Sequence, residues 1–336
     1  MAYTTINKPS LYFNTKLYTG NGSSGHSITG VGFQPDWVWI KNRQQSYSHF
    51  LTDAVRGVTK EIYSDSNGAE YTRSNGLTAF GADGFTVGDN NGHNQNGNNL
   101  VAWNWKAGTG QGSANNDGSI NTTYTSVNTT AGFSISKYTG TGANATVGHG
   151  LGVAPQMIIV KNLAGSSDNW AVYHEKLGAN NWLKLNTSDA TATDTTIWNN
   201  TAPTSTVFSV GTYTNNNGNG NDIIAYCFAE KTGYSKFGSY KGNGNSDGAF
   251  VNTGFKPAFI MIKKSSGTEN WSMYDTKRNV NGTTNTLPLL ANFNDGESGL
   301  TGKNMDILSN GVKMRTSNGE LNASGDTYIY MAFAES

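Results

Sequence analysis

The sequence has a single cysteine, Cys227, in 336 residues, so no intramolecular disulfide framework is open to it. Net charge is also missing: 23 basic residues balance 23 acidic ones. That removes the electrostatic footprint of a nucleic-acid binder. Charged residues make up only 14% of the chain and form no run of one sign, which argues against adhesion to an anionic membrane surface. No stretch approaches the roughly 18 apolar residues of a membrane span. Residues 1–8 lack the apolar segment of a secretory signal, and synthesis without the general export route is the expectation. Helix signals are poor, because glycine (42 residues), asparagine and β-branched residues dominate. Disorder is excluded as well: eight Trp, sixteen Tyr and fourteen Phe supply ample material for a core.

Prolines are few, six in all, and three share one setting. Gly32-Phe33-Gln34-Pro35-Asp36 leads into Trp37-Val38-Trp39-Ile40-Lys41. Gly152-Val153-Ala154-Pro155-Gln156 leads into Met157-Ile158-Ile159-Val160-Lys161. The third copy runs from Gly254 through Pro257 and Phe259-Ile260-Met261-Ile262 to Lys263. Four apolar residues after a Gly/Pro turn, closed by lysine, read as a strand buried on both faces. The proline sits at the strand start, where its missing N–H breaks no ladder.

A Tyr-x-Gly-x-Gly turn (Tyr18–Gly22, Tyr138–Gly142, Tyr240–Gly244) precedes each proline, with Tyr and Pro seventeen residues apart every time. Matched apolar segments follow in constant order and end in Leu100–Trp105, Ile223–Phe228 and Tyr328–Phe333. Five landmarks in one order define an internal triplication. The organisation expected is an arm (1–11), module 1 (12–108), a Gly/Ser/Asn-rich flexible linker (109–130), module 2 (131–232) and module 3 (233–336). Each module is long enough for its own core, and modules 2 and 3, joined directly, are expected to be held more rigidly together than to module 1. The fold class is all-β: three tandem antiparallel β-sandwich modules, with jelly-roll and Ig-like orders both open. Asp53–Arg56 and His174–Leu177 are each expected to form one helical turn, and the Asn/Gly-rich loops before each last strand to gather at one end.

Chemistry is hard to find. The five histidines form no metal-ligand spacing; no nucleophile elbow or phosphate-cradling loop is present, and no cofactor is indicated. Asp53 and Asp275 are equivalent by repeat, each three residues before an arginine (Arg56, Arg278), a spacing that suits a local ion pair. Module 2 has His174 at that place, so the position reads as fold rather than as active site. Asp- and Asn-rich loops such as 83–99 carry oxygen ligands of the kind Ca²⁺ takes, yet turn formation explains them as well. Trp37, Trp39, Trp103, Trp105, Trp170 and Trp271 lie in repeat strands and read as core. Trp182 and Trp198 fall outside the matched landmarks, which makes them the ligand-binding candidates, offering stacking faces to a sugar.

Segments such as GVGFQPDWVWIKNR, LTDAVRGVTKEIYSD, GLTAFGADGFTVG, LVAWNWKAG and YMAFAES resemble the tandem-repeat virion structural and tail-fibre-like proteins of tailed, especially marine, bacteriophages. The resemblance covers almost the whole chain. It implies a non-enzymatic virion component assembled in the host cytoplasm beside other virion proteins, and an oligomer, by analogy a trimer. Three modules in one chain offer threefold pseudo-symmetry unaided as the other route. It implies a tail-fibre or adhesin role touching a host-surface glycan or protein. Capsid decoration or a head fibre is the alternative, since the chain lacks a heptad or β-helical shaft; a glycan-binding or glycan-degrading module is the second.

Overall fold

The computed structural model describes residues 4–165, 167–278, 287–297 and 302–334; the first three residues of the expected arm and the last two of module 3 lie outside the described residues. Module 1 contributes β1 (Phe13–Thr19), β2 (His26–Thr29), β3 (Trp37–Asn42), β4 (Phe50–Asp53), β5 (Lys60–Tyr63), β6 (Tyr71–Thr72), β7 (Leu77–Gly81), β8 (Gly84–Val87) and β9 (Asn99–Trp105). Next come β10 (Thr122–Asn128), β11 (Phe133–Thr139), β12 (Ala145–Gly148), β13 (Met157–Asn162), β14 (Ala171–His174), β15 (Asn181–Lys184), β16 (Ala192–Thr193), β17 (Val207–Val210) and β18 (Asp222–Phe228). Module 3 supplies β19 (Ser235–Lys241), β20 (Phe250–Asn252), β21 (Pro257–Lys264), β22 (Trp271–Asp275), β23 (Leu289–Leu290), β24 (Met305–Leu308), β25 (Gly311–Met314) and β26 (Thr327–Ala334). Single helical turns, α1 (Asn91–Asn94), α2 (Thr214–Asn217) and α3 (Gly319–Asn322), precede the three last strands.

The protein is all-β, and its sheets are antiparallel. Each module has one large sheet, ordered β1-β9-β3-β4-β5-β6, β10-β11-β18-β13-β14-β15-β16 or β19-β26-β21-β22-β23. A small sheet (β2-β8-β7, β12-β17 or β20-β25-β24) packs on its outer side. The layers are thus unequal, with first, last and proline-led strands always adjacent.

The reading of the proline-led strands as buried on both faces holds, and alternation shows why. Trp37 and Trp39 point to one core while Val38 and Ile40 point to another; Met157 and Ile159, then Phe259 and Met261, repeat the first choice. The first core is shared. It joins Trp37, Trp103 and Trp105 of module 1 to Ile159, Tyr226 and Phe228 of module 2 and to Phe259, Met331 and Phe333 of module 3. Trp37 stacks on Tyr226 at 4.4 Å, and Phe13 on Phe333 at 5.1 Å. Each module keeps an outer core between its two sheets. The repeats are therefore not self-contained: half of every proline-led strand is buried only because its neighbours are there. At about 1.5–3 kcal/mol per large apolar side chain, that half is not dispensable.

Three other expectations need correction. Residues 109–130 are no loose linker. Their N–H groups at Thr109 and Gly110 donate to the Asp36 carboxylate (3.0 and 2.8 Å), Ile120 bridges to Val147, and β10 pairs with β11. Module 1 is also tied to both partners, as shown below, so modules 2 and 3 are not a separate rigid pair. In the arm, Ile6 enters the shared core and Pro9–Leu11 form a 3₁₀ turn against β1. The Asp53 and His174 segments are hydrogen-bonded turns rather than helices; the real helical turns lie in the Asn/Gly-rich loops.

Those loops explain the Tyr-x-Gly-x-Gly motif. Each tyrosine hydroxyl donates to a carbonyl in the helical turn: Tyr18 to His93, Tyr138 to Asn216, Tyr240 to Leu321. A Cβ on the first glycine (Gly20, Gly140, Gly242) would overlap a carbonyl oxygen there, while the second sits near φ +67° in all three. The equivalent Asn94, Asn217 and Asn322 clamp the turn by accepting from its backbone and donating to its carbonyls. Such amides are spent on turns. So is Asp83, which accepts from Gly30 and Gly32.

Candidate functional site

The proline-led strand ends in a lysine on the inward-facing parity, so its ammonium is carried to the junction with the next module. Lys41, Lys161 and Lys263 are fully buried. Each donates to the carbonyl of its own following residue and to carbonyls of its own loop. Each also donates across a seam: Lys41 to Asn294 of module 3 (2.9 Å), Lys161 to Asn67 of module 1 (3.2 Å) and Lys263 to Ser188 of module 2 (3.3 Å). Burial pushes all three ammonium groups down to about 8. Backbone bonds run the same circuit. Glu70 N–H donates to Leu163, Thr191 N–H to Ser265 and Glu297 N–H to Arg43, at 2.8, 3.0 and 2.8 Å. Module 1 meets 2, 2 meets 3, and 3 meets 1, so the contacts close a ring.

The Asp-x-x-Arg spacing gives the expected ion pairs, Arg56 Nε–Asp53 and Arg278 Nε–Asp275, both at 2.5 Å. Their second role was not legible: each carboxylate is also a seam acceptor. Tyr226 of module 2 donates to Asp53 (2.7 Å), and the Trp103 indole of module 1 donates to Asp275 (3.1 Å). At the remaining seam the equivalent of Trp103 and Tyr226 is Met331, which has nothing to donate. There His174 replaces the aspartate, and the chemistry reverses. Its Nδ1 accepts from Lys176 N–H (3.2 Å) and its Nε2 donates to the Tyr330 carbonyl (3.3 Å). Burial lowers this imidazole to about 4, which keeps it in the neutral form those two bonds require. Leu177 then stands in the arginine's place and packs on the shared core.

Trp182 and Trp198 are not placed to stack on a ligand. They are 3% and 1% exposed inside the outer core of module 2, with Trp198 against Tyr173 and Trp182 against Tyr213. Trp182 occupies the strand position that is Glu61 in module 1 and Pro288 in module 3, judged by the residues that follow in register. The free positions of the repeat are thus where each outer core is filled differently. Cys227 also lies in this core, and burial pushes its thiol far up.

Module 1 fills that space with polar groups. Glu61 meets His93 Nε2 (3.0 Å) and Arg73 Nε (3.0 Å), Tyr63 donates to Glu61 (3.3 Å), and His93 Nδ1 lies 3.0 Å from the Asn90 oxygen. Above them a cleft of about 420 Å³ is lined by Tyr47, Phe50, Arg73, Asn75, Asp89 and Asn91. It offers one guanidinium, one carboxylate, amides and a phenol ring, a set suited to a neutral polyhydroxylated ligand. Among the described residues, no group of three or more His, Cys, Asp or Glu gathers in metal-binding geometry, and no helix is long and apolar enough to cross a membrane.

No curated protein matches the sequence. A family model described as a domain of unknown function, DUF7483, matches residues 8–336. The matched span takes in all three modules and the seams between them, and the chain belongs to that family.

Proposed function

We propose that the chain is a non-enzymatic structural protein of a tailed-phage particle that works by binding and assembly. The observation that carries the reading is the closed circuit of seams: one polypeptide builds what three identical subunits would otherwise build, with lysine and backbone bonds repeated at every junction. A unit of this kind fits a threefold-symmetric seat on a larger assembly. The likeness of its motifs to tail-fibre proteins favours the host-facing end of a tail, with the module 1 cleft as the place for a host-surface glycan. The compactness of the described modules favours the second seat, on the capsid. Antibody labelling of intact particles, read by electron microscopy, tests the proposal. Signal at the tail tip supports the first seat, signal over the head supports the second, and particles that carry none of the protein overturn both.

A further inference from the structure

The first strand of each module has two edges, and one always pairs with the last strand. In β11 the even-numbered residues face β18, since Ala229 N–H donates to the Gly132 carbonyl (2.7 Å). Phe133, Ile135 and Lys137 therefore face the other way, where β10 lies opposite them through Asn128, Ser126 and Tyr124. The parity repeats in β19: Ala334 N–H donates to Tyr234 (2.7 Å), so Ser235, Phe237 and Ser239 present their backbone groups outward. Among the described residues, β19 is the outermost strand of its sheet on this side.

The three seams differ at this point. Between modules 1 and 2, β10 fills the groove, held by the bond from Gly108 N–H to Ser126 (3.0 Å). Between modules 3 and 1 only about 30 Å³ remains, lined by Ser10, Asn14, Thr15 and Thr276. Between modules 2 and 3 the groove is open, about 440 Å³, running along Lys236–Ser239 beside Gln156, Glu175 and Tyr330. In it the Glu230 carboxylate accepts from Phe237 N–H (3.3 Å) where a strand carbonyl would sit, and just beyond its end Lys231 O accepts from Ser235 N–H (2.9 Å).

We propose that the outward edge of β19 is a docking site for an extended, uncharged segment of a partner protein, which adds there as the strand that β10 already is at the neighbouring seam. The chemistry of the occupant is read from its resident counterpart. Thr122-Thr123-Tyr124-Thr125-Ser126-Val127-Asn128 carries no charge, and the groove's own charges are matched in pairs, Lys236 with Glu230 and Lys176 with Glu175. Main-chain hydrogen bonds supply the affinity in such strand addition, and exposed edges are its usual template. Glu230 guards the edge until the segment arrives. The inference does not depend on where the protein resides.

The test uses the intact chain and a synthetic peptide of residues 120–130, with fluorescence anisotropy for binding and amide exchange to locate it. The expected result is saturable binding with slowed exchange at Phe237 and Ser239. Ser239→Pro removes one outward N–H without touching the ladder to β26, and weakens binding about tenfold, the size of one lost hydrogen bond. Glu230→Ala frees Phe237 N–H and tightens binding several-fold. Absence of saturable binding overturns the proposal, as does protection appearing at β11, which would mean mere exchange with the resident strand. Protection of Phe237 and Ser239 by self-association without peptide assigns the edge to a second copy and overturns it too. Should Ser239→Pro fail to fold, unchanged affinity in Glu230→Ala is decisive against it.

Discussion

Replacing Tyr226 by phenylalanine deletes one oxygen atom at the seam between modules 1 and 2. The ring keeps its stack on Trp37 at 4.4 Å, so packing is preserved. What disappears is the 2.7 Å bond to Asp53, a carboxylate with 0% exposure that has no water to turn to. A hydrogen bond to a charged group contributes about 1.5–3 kcal/mol, and a loss of about 2 kcal/mol is expected. Urea unfolding followed by tryptophan fluorescence measures it as a lower midpoint at unchanged slope. Tyr138→Phe is the matched control: its hydroxyl donates to the neutral Asn216 carbonyl within one module, for about 1 kcal/mol. Pairing Tyr226→Phe with Asp53→Asn in a double-mutant cycle should give a coupling of about 1–2 kcal/mol across the seam. Because the core is shared, the parent chain and both variants should unfold in one transition. Strict additivity of the two substitutions, or a Tyr226→Phe loss within about 0.5 kcal/mol of zero, refutes the seam argument. Two separate transitions refute the shared core.

Three further outcomes are expected. Stability should climb as pH rises from about 8 toward 10, because Lys41, Lys161 and Lys263 titrate near 8 when folded and near 10.5 when unfolded, so the unfolded chain holds the extra protons in that window. The gain is at most about 1.4 kcal/mol per pH unit for each lysine. Above pH 10 it reverses, since buried tyrosines such as Tyr138 and Tyr226 ionise only on unfolding; chemical denaturation across this range checks both signs. Trp198→Ala should cost about 3–5 kcal/mol through the cavity it leaves and leave any glycan binding untouched, whereas Asn75→Ala in the module 1 cleft, where the exposed amide bonds only the exposed Asp89, should weaken such binding with little change in midpoint. Gly20→Ala, whose Cβ would overlap the Gln95 carbonyl, should lose more than about 2 kcal/mol, against about 0.5 kcal/mol or less for Gly81→Ala, where the nearest atom is 3.6 Å away; thermal melts separate them.

Repetition made much of this legible. Because three copies of the proline-led run share a pattern, the strand and its double burial could be read from one line of letters. The Asp-x-x-Arg pairs were legible for a similar reason, being local. Seam chemistry was not: Lys41 meets Asn294 from 253 positions away, and no spacing encodes that distance. Trp182 and Trp198 misled because freedom from the repeat pattern resembles freedom from the fold. Each outer core is filled in its own way, and module 2 fills it with indoles where module 1 uses Glu61 and His93. The 109–130 segment misled through averaging: its Gly/Asn-rich start masked the β-branched alternation of Thr122–Val127. The helical turns are four residues long, too short for a 3.6-residue period to show.

Fusing the repeats has a consequence for how the molecule is counted by whatever holds it. A ring of three identical chains presents every surface in triplicate and seats equally well in three rotations. Here the junctions carry Asp53, His174 and Asp275 in turn, and the three strand edges are filled, open and nearly closed. The ring therefore has a heading: a threefold seat can accept it in one preferred rotation, and a ligand for one edge binds with a stoichiometry of one per ring.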